Sequence, residues 1–173
     1  MLKNFLFIVM LFAAPSLFAQ RYAYVDSKYI LENMDEYKEA QLEIDAMSKR
    51  WQETIEAKMA ELDRMRRAYE AEKILLTEEL RKQREQEIKD KEQEIRDYQR
   101  AKFGVNGELF KKRQELIQPL QDDIFNAIKE LAKERSYALI FDKGTNTNIL
   151  FADPKYDKSD VILKKLGYSA GDK

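Results

Sequence analysis

Between positions 37 and 69 the apolar side chains fall at Tyr37, Ala40, Ile44, Met47, Trp51, Ile55, Met59, Leu62, Met65 and Tyr69, almost always three or four apart. That spacing lines one stripe of a long helix. The stripe loses phase at Lys73-Ile74-Leu75-Leu76. Thr77, followed by Glu78 and Glu79, reads as the N-cap of a second helix whose first-turn carboxylates face the positive end of its dipole. The second stripe carries Leu80, Ile88, Ile95, Tyr98, Leu109, Ile117, Leu120, Ile124 and Ile128. With the turn at Leu76-Thr77, Met65 falls opposite Ile88, Met59 opposite Ile95 and Ile44 opposite Leu109. The pattern predicts an antiparallel coiled-coil hairpin over 35–134, with its tip near 74–79. About 40 residues on each side would make an arm roughly 60 Å long at about 1.5 Å per residue.

The two ends of the chain are patterned differently. Arg21 to Asp26 alternates aromatic and apolar residues and reads as a strand stopped by a cap, with one or two helical turns after it over 27–34. Beyond the arm, 137–141 and 149–152 read as two further strands, separated by a polar turn that contains Gly144 and ended by Asp153-Pro154. Asp157-Lys158-Ser159-Asp160 caps a last short helix over 161–166, closed by Gly167. Residues 20–34 and 135–173 would therefore form one small β-rich body with the hairpin inserted between them. Tyr22, Tyr24, Val25, Leu139, Ile140, Phe141, Ile149, Leu150 and Phe151 are its expected strand residues. The fold class is α+β, mainly α. Three short strands give little core and leave open edges, which predicts an oligomer whose copies pool their strands. The residues alone do not set the copy number.

The return helix holds two irregularities. Phe-Gly-Val-Asn-Gly at 103–107 puts Gly104 and Gly107 in a helical run, across from Met47 and Trp51. They read either as a local bulge packed against the Trp51 ring or as a hinge. Pro119 must kink the helix or begin a new one, and marks where the arm enters the body. Gly104, Gly107 and Pro119 are thus candidate bend points.

Positions 1–19 have the order of an export signal. Lys3 lies ahead of an apolar run over 5–14, too short to span a membrane, and Ala19 offers a cleavage site. The expected mature chain starts at Gln20, outside the cytoplasm.

Composition narrows the function. Charged residues make up 36% of the chain against five glycines, a balance suited to long helices rather than a packed α/β enzyme. Lys and Arg total 31 against 32 Asp and Glu, which argues against a nucleic-acid or general polyanion binder. With no cysteine and no histidine, disulfides, thiol nucleophiles, the commonest general base and the usual zinc ligands are ruled out. Glu85, Glu87, Asp90, Glu92 and Glu94 alternate with basic residues, as on a solvated helix face. No catalytic, cofactor-binding or metal-binding residue is assigned, and the chain does not read as an enzyme. Met59, Leu62, Met65 and Tyr69, with Ile74, Leu75 and Leu76 at the tip, remain as candidates to face an apolar partner while completing the hairpin's own packing.

The chain resembles the Skp/OmpH family of periplasmic chaperones. The resemblance rests on the signal segment, the Tyr24-Val25-Asp26 strand, the charged hairpin, Leu139-Ile140-Phe141-Asp142, and the tail Tyr156 to Ile162 with Leu166. It implies a homotrimer with a pooled β body and three arms around a cavity. The implied activity is to hold unfolded outer-membrane β-barrel proteins in the periplasm without ATP. Well-known members are strongly basic and this chain is not, so lipopolysaccharide binding is not carried over. The rival reading is a structural, envelope-associated coiled-coil oligomer without clients.

Overall fold

The computed structural model describes residues 21–145 and 149–169. The expected signal segment 1–19 lies outside them, as do 146–148 of the polar turn. Strand β1 (Arg21–Val25) leads through Asp26 into helix α1 (Ser27–Glu32). The Asp26 side chain caps α1 by accepting from the Tyr29 N–H at 3.0 Å. The arm follows: α2 (Asp35–Glu72), then α3 (Glu78–Phe103), capped by Thr77, then α4 (Glu108–Arg135). Ser136, in the left-handed region at φ 52°, ends α4 and turns the chain into β2 (Tyr137–Asp142). A 3₁₀ turn (Pro154–Tyr156) and helix α5 (Ser159–Lys165) are the last elements among the described residues.

β1 and β2 pair in parallel, and the whole hairpin serves as the crossover that such a pair requires. The register slips by one residue after Arg21↔Tyr137, because Tyr22 pairs with Leu139 and leaves Ala138 as a bulge. The bulge puts Tyr137 and Ile140 on the same side, against the core. Leu139 and Phe141, alternating with Ile140, face outward. The core itself joins Val25, Ile30, Leu31, Met34, Ile162 and Leu163 with Ile124, Ala127 and Leu131 of α4. The last turns of α4, assigned to the arm from sequence, are therefore part of the body's core.

Three expectations need correction. Residues 149–152 do not form a strand: β1 has β2 on one side and a bridge to Asp157 on the other, so it offers 149–152 no edge. Leu150 and Phe151 are left 100% and 84% exposed. The return helix is not continuous, since α3 stops at Phe103 and α4 restarts at Glu108. Of the two readings of Pro119, kink or helix start, the start is excluded: α4 runs through it, without the amide hydrogen that would bond back one turn.

Candidate functional site

The body presents an open apolar face. Tyr22, Leu139 and Phe141 project from the sheet away from the core and are 51%, 58% and 46% exposed. Phe141 lines three adjoining hollows. One, of about 420 Å³, runs between β2 and α4 past Ile124, Phe125 and Ile140. Another, of about 330 Å³, is bounded by Tyr22, Ile149, Phe151 and Tyr156. The third lies along Tyr22 and Leu139. The Tyr22 and Tyr156 rings stack with centroids 4.8 Å apart. The far edge of β2 has no partner strand among the described residues. Of the body residues named from sequence, Tyr24 and Val25 are buried within the chain, Ile140 and Ile149 are half-buried, and the other five are exposed.

The arm is built differently. Its apolar seam is thin: Ala40, Ile44, Ile55 and Leu62 on α2 are buried, and on α3 only Ile95 is. Cross-helix polar pairs fill the gaps between them. Lys58 pairs with Glu94, Lys91 with Glu61 at 2.6 Å, and Arg66 with Glu92 at 2.7 Å. The Tyr69 hydroxyl donates to Glu85 at 2.6 Å. These contacts set the sequence-derived register, and Met65 and Ile88 line a common hollow. The hydrogen bond from Lys58, then that from Lys91, holds the Glu94 carboxyl below the usual range, and the bond from Arg66 does the same for Glu92.

The structure divides the arm candidates. Ile74 and Leu75 are 82% and 87% exposed at the tip, and Met59 is half exposed. Met65, Tyr69 and Leu76 are half-buried. Leu62 is buried in the seam and drops out as a partner-facing residue. Leu80, read as part of the second stripe, is 46% exposed, while Phe110 and Val105, the last 97% exposed, were not singled out from sequence. The available signal was apolar residues standing off the stripe.

The break at 103–107 is closely packed. Gly104 and Gly107 both have ordinary negative φ, and Asn106 is the residue that takes the left-handed turn, at φ 59°. The glycines serve close approach. A Cβ at position 104 would lie 2.4 Å from the Arg100 carbonyl oxygen, and one at 107 would lie 2.9 Å from that of Ala101. Lys102 spans the break to Glu108 at 2.5 Å and sits over the Trp51 and Tyr98 rings at 5.1 and 5.5 Å. Phe103 meets Trp51 edge-on, with centroids 5.9 Å apart.

Among the described residues no set of three or more acidic, histidine or cysteine side chains is placed to hold a metal ion, and no helix is long and apolar enough to cross a membrane. The described residues thus form a small α+β body with an open sheet face and one protruding charged hairpin. Comparison makes the class specific. Residues 21–166 match the family described as outer membrane protein (OmpH-like), and the chain belongs to that family. Its fold is similar to that of an OmpH-like protein of Caulobacter crescentus CB15, described as a candidate outer membrane chaperone. The two share 13% identity at a TM-score of 0.65, over 88% of this chain and 86% of the other. No curated protein sequence matches significantly.

Proposed function

We propose that the protein is an ATP-independent holdase of the periplasm, which binds unfolded outer-membrane β-barrel proteins between the arms of a homotrimer. The observation that carries this reading is the open face of the body: Tyr22, Leu139 and Phe141 stand exposed on the sheet, Phe151 borders the same hollow as Tyr22 and Phe141, and among the described residues the outer edge of β2 has no partner strand. A monomer would expose both an apolar patch and a strand edge, each a liability in solution. Packing copies through that face removes both and brings several arms together. Each arm offers only scattered apolar side chains, such as Met59, Ile74, Leu75, Val105 and Phe110. Many weak contacts summed over several arms hold an extended apolar client by avidity and still let it leave without nucleotide. Membership of the OmpH-like family supports the chaperone class.

The test dilutes a urea-unfolded outer-membrane β-barrel protein into buffer with the exported chain and no nucleotide, and follows light scattering. The proposal predicts suppression at about one assembly per client. Leu139→Asp, on the open face, is expected to dissociate the assembly and abolish suppression while the chain keeps its helicity. Full aggregation beside the intact parent assembly would favour a purely structural role.

A further inference from the structure

Helix α5, with Tyr168 just beyond it, is tied to the end of β1, to α1 and to the two arm helices that enter the body, α2 and α4. Ile162 and Leu163 on its inner side are fully buried. Ser159 Oγ accepts from the Asp26 N–H at the end of β1, at 2.9 Å, and Tyr29 Oη on α1 donates to Asp160 at 3.0 Å. Lys165 Nζ reaches Glu130 at 3.0 Å and Glu134 at 2.6 Å, both on the last turns of α4. Tyr168 Oη donates to Glu36 Oε2, in the first turn of α2, at 2.7 Å.

That last bond depends on how α5 ends. Gly167 sits at φ +93°, its N–H donates to the Lys164 carbonyl at 3.1 Å, and the Tyr168 N–H donates back to Leu163 at 2.9 Å. This paired closure reverses the chain and sends the Tyr168 ring across to α2, where it also packs against the core. We infer that α5 and Tyr168 form a clasp that grips α2 and α4 at their root and sets the direction in which the arm leaves the body.

The geometry gives the clasp leverage. α2 has 38 residues, about 57 Å of helix at about 1.5 Å per residue, so turning its root by about 5° moves the tip by about 5 Å. The bond is one between a neutral phenol and an ionised carboxylate, a strong type. Glu36 first, with burial and the nearby charges of Asp123 and Asp35, pushes the Tyr168 phenol up to about 12. The same bond holds Glu36 below the usual carboxylate range. The clasp concerns arm geometry and does not depend on what the arms bind.

The test measures spin-label distances within one chain, from position 28 on α1 to position 82 near the tip, in assemblies diluted with unlabelled chain. Both side chains are well exposed, at 71% and 75%. Tyr168→Phe keeps the ring and removes the hydroxyl. It is expected to broaden the distance distribution about twofold at an unchanged midpoint of thermal unfolding. Adding Lys165→Gln should broaden it further, and Gly167→Ala, strained at its positive φ, should act in the same direction. Distributions as narrow as the parent's in all three variants would overturn the clasp. So would broadening that appears only together with lost helicity, because that is the mark of a core contact and not of a positioning one.

Discussion

The body and the far arm solve the same problem with different materials. In the body, Val25, Ile30, Met34, Ile162 and Leu163 are each at most 1% exposed, and burying such side chains contributes about 1.5–3 kcal/mol apiece. In the arm beyond Trp51, the buried apolar residues are Ile55, Leu62 and Ile95, and charged pairs cross the seam between them. Exposed ion pairs contribute little each, and salt screens them. The body is thus specified by packing and fixed. The arm is held by contacts that cost little to break, and it keeps apolar side chains at its surface.

The largest effect to expect comes from the core. Leu163→Ala should lower stability by about 2–5 kcal/mol in a denaturant titration. If instead it cost no more than a surface change, the body would not be the rigid half. Ile95→Ala in the arm seam should cost about 2 kcal/mol, the low end for such a deletion, because a two-helix seam can close on the gap. Hydrogen exchange should show its effect confined to α2 and α3 beyond Trp51. Gly104→Ala should cost about 1–3 kcal/mol, since a Cβ meets the Arg100 carbonyl unless the break is rebuilt. A stabilised arm with a continuous helix would show that the break is conformational and not a packing device.

Smaller effects separate the two halves by solvent conditions. Glu92 and Glu94 have lowered pKa values in the fold, so their contribution is present above the unfolded value of about 4.3 and is lost as pH falls through the lower folded values. Lys91 is raised, first by its hydrogen bond to Glu61, so its contribution is present below the unfolded value of about 10.4 and is lost as pH climbs through the folded one. Far-arm protection measured by hydrogen exchange should therefore hold at neutral pH and fall below about pH 4. High salt should loosen the far arm before the body. The smallest change of all is Leu75→Asp at the exposed tip, expected within about 0.5 kcal/mol and without effect on the proposed oligomer.

What could be read in advance follows from the range of each signal. Thr77 caps its helix through its own neighbours, and a stripe at steps of three and four fixes which faces of α2 and α3 meet, so both were visible in the residues. Residues 149–152 have strand composition, but composition cannot say which edge is free. Here Asp157 and β2 occupy both sides of β1. The two glycines at 104 and 107 were visible and drew the reading, yet the left-handed turn falls on Asn106, a residue type that enters that region more readily than most but at only a minority of its positions. Leu62 and Met59 look alike in the stripe, yet one is buried and the other half exposed, since positions three apart lie about 60° apart around the helix and only one can face the seam squarely. The Ala138 bulge and the reach of Tyr168 to Glu36 depend on contacts over more than a hundred positions, and no local pattern announces them.

Native mass spectrometry of residues 20–173, alone and mixed with a urea-unfolded outer-membrane β-barrel protein, tests the central claim most directly. The account predicts a trimer that takes up one client. A monomer, or an oligomer that ignores the client, would contradict it.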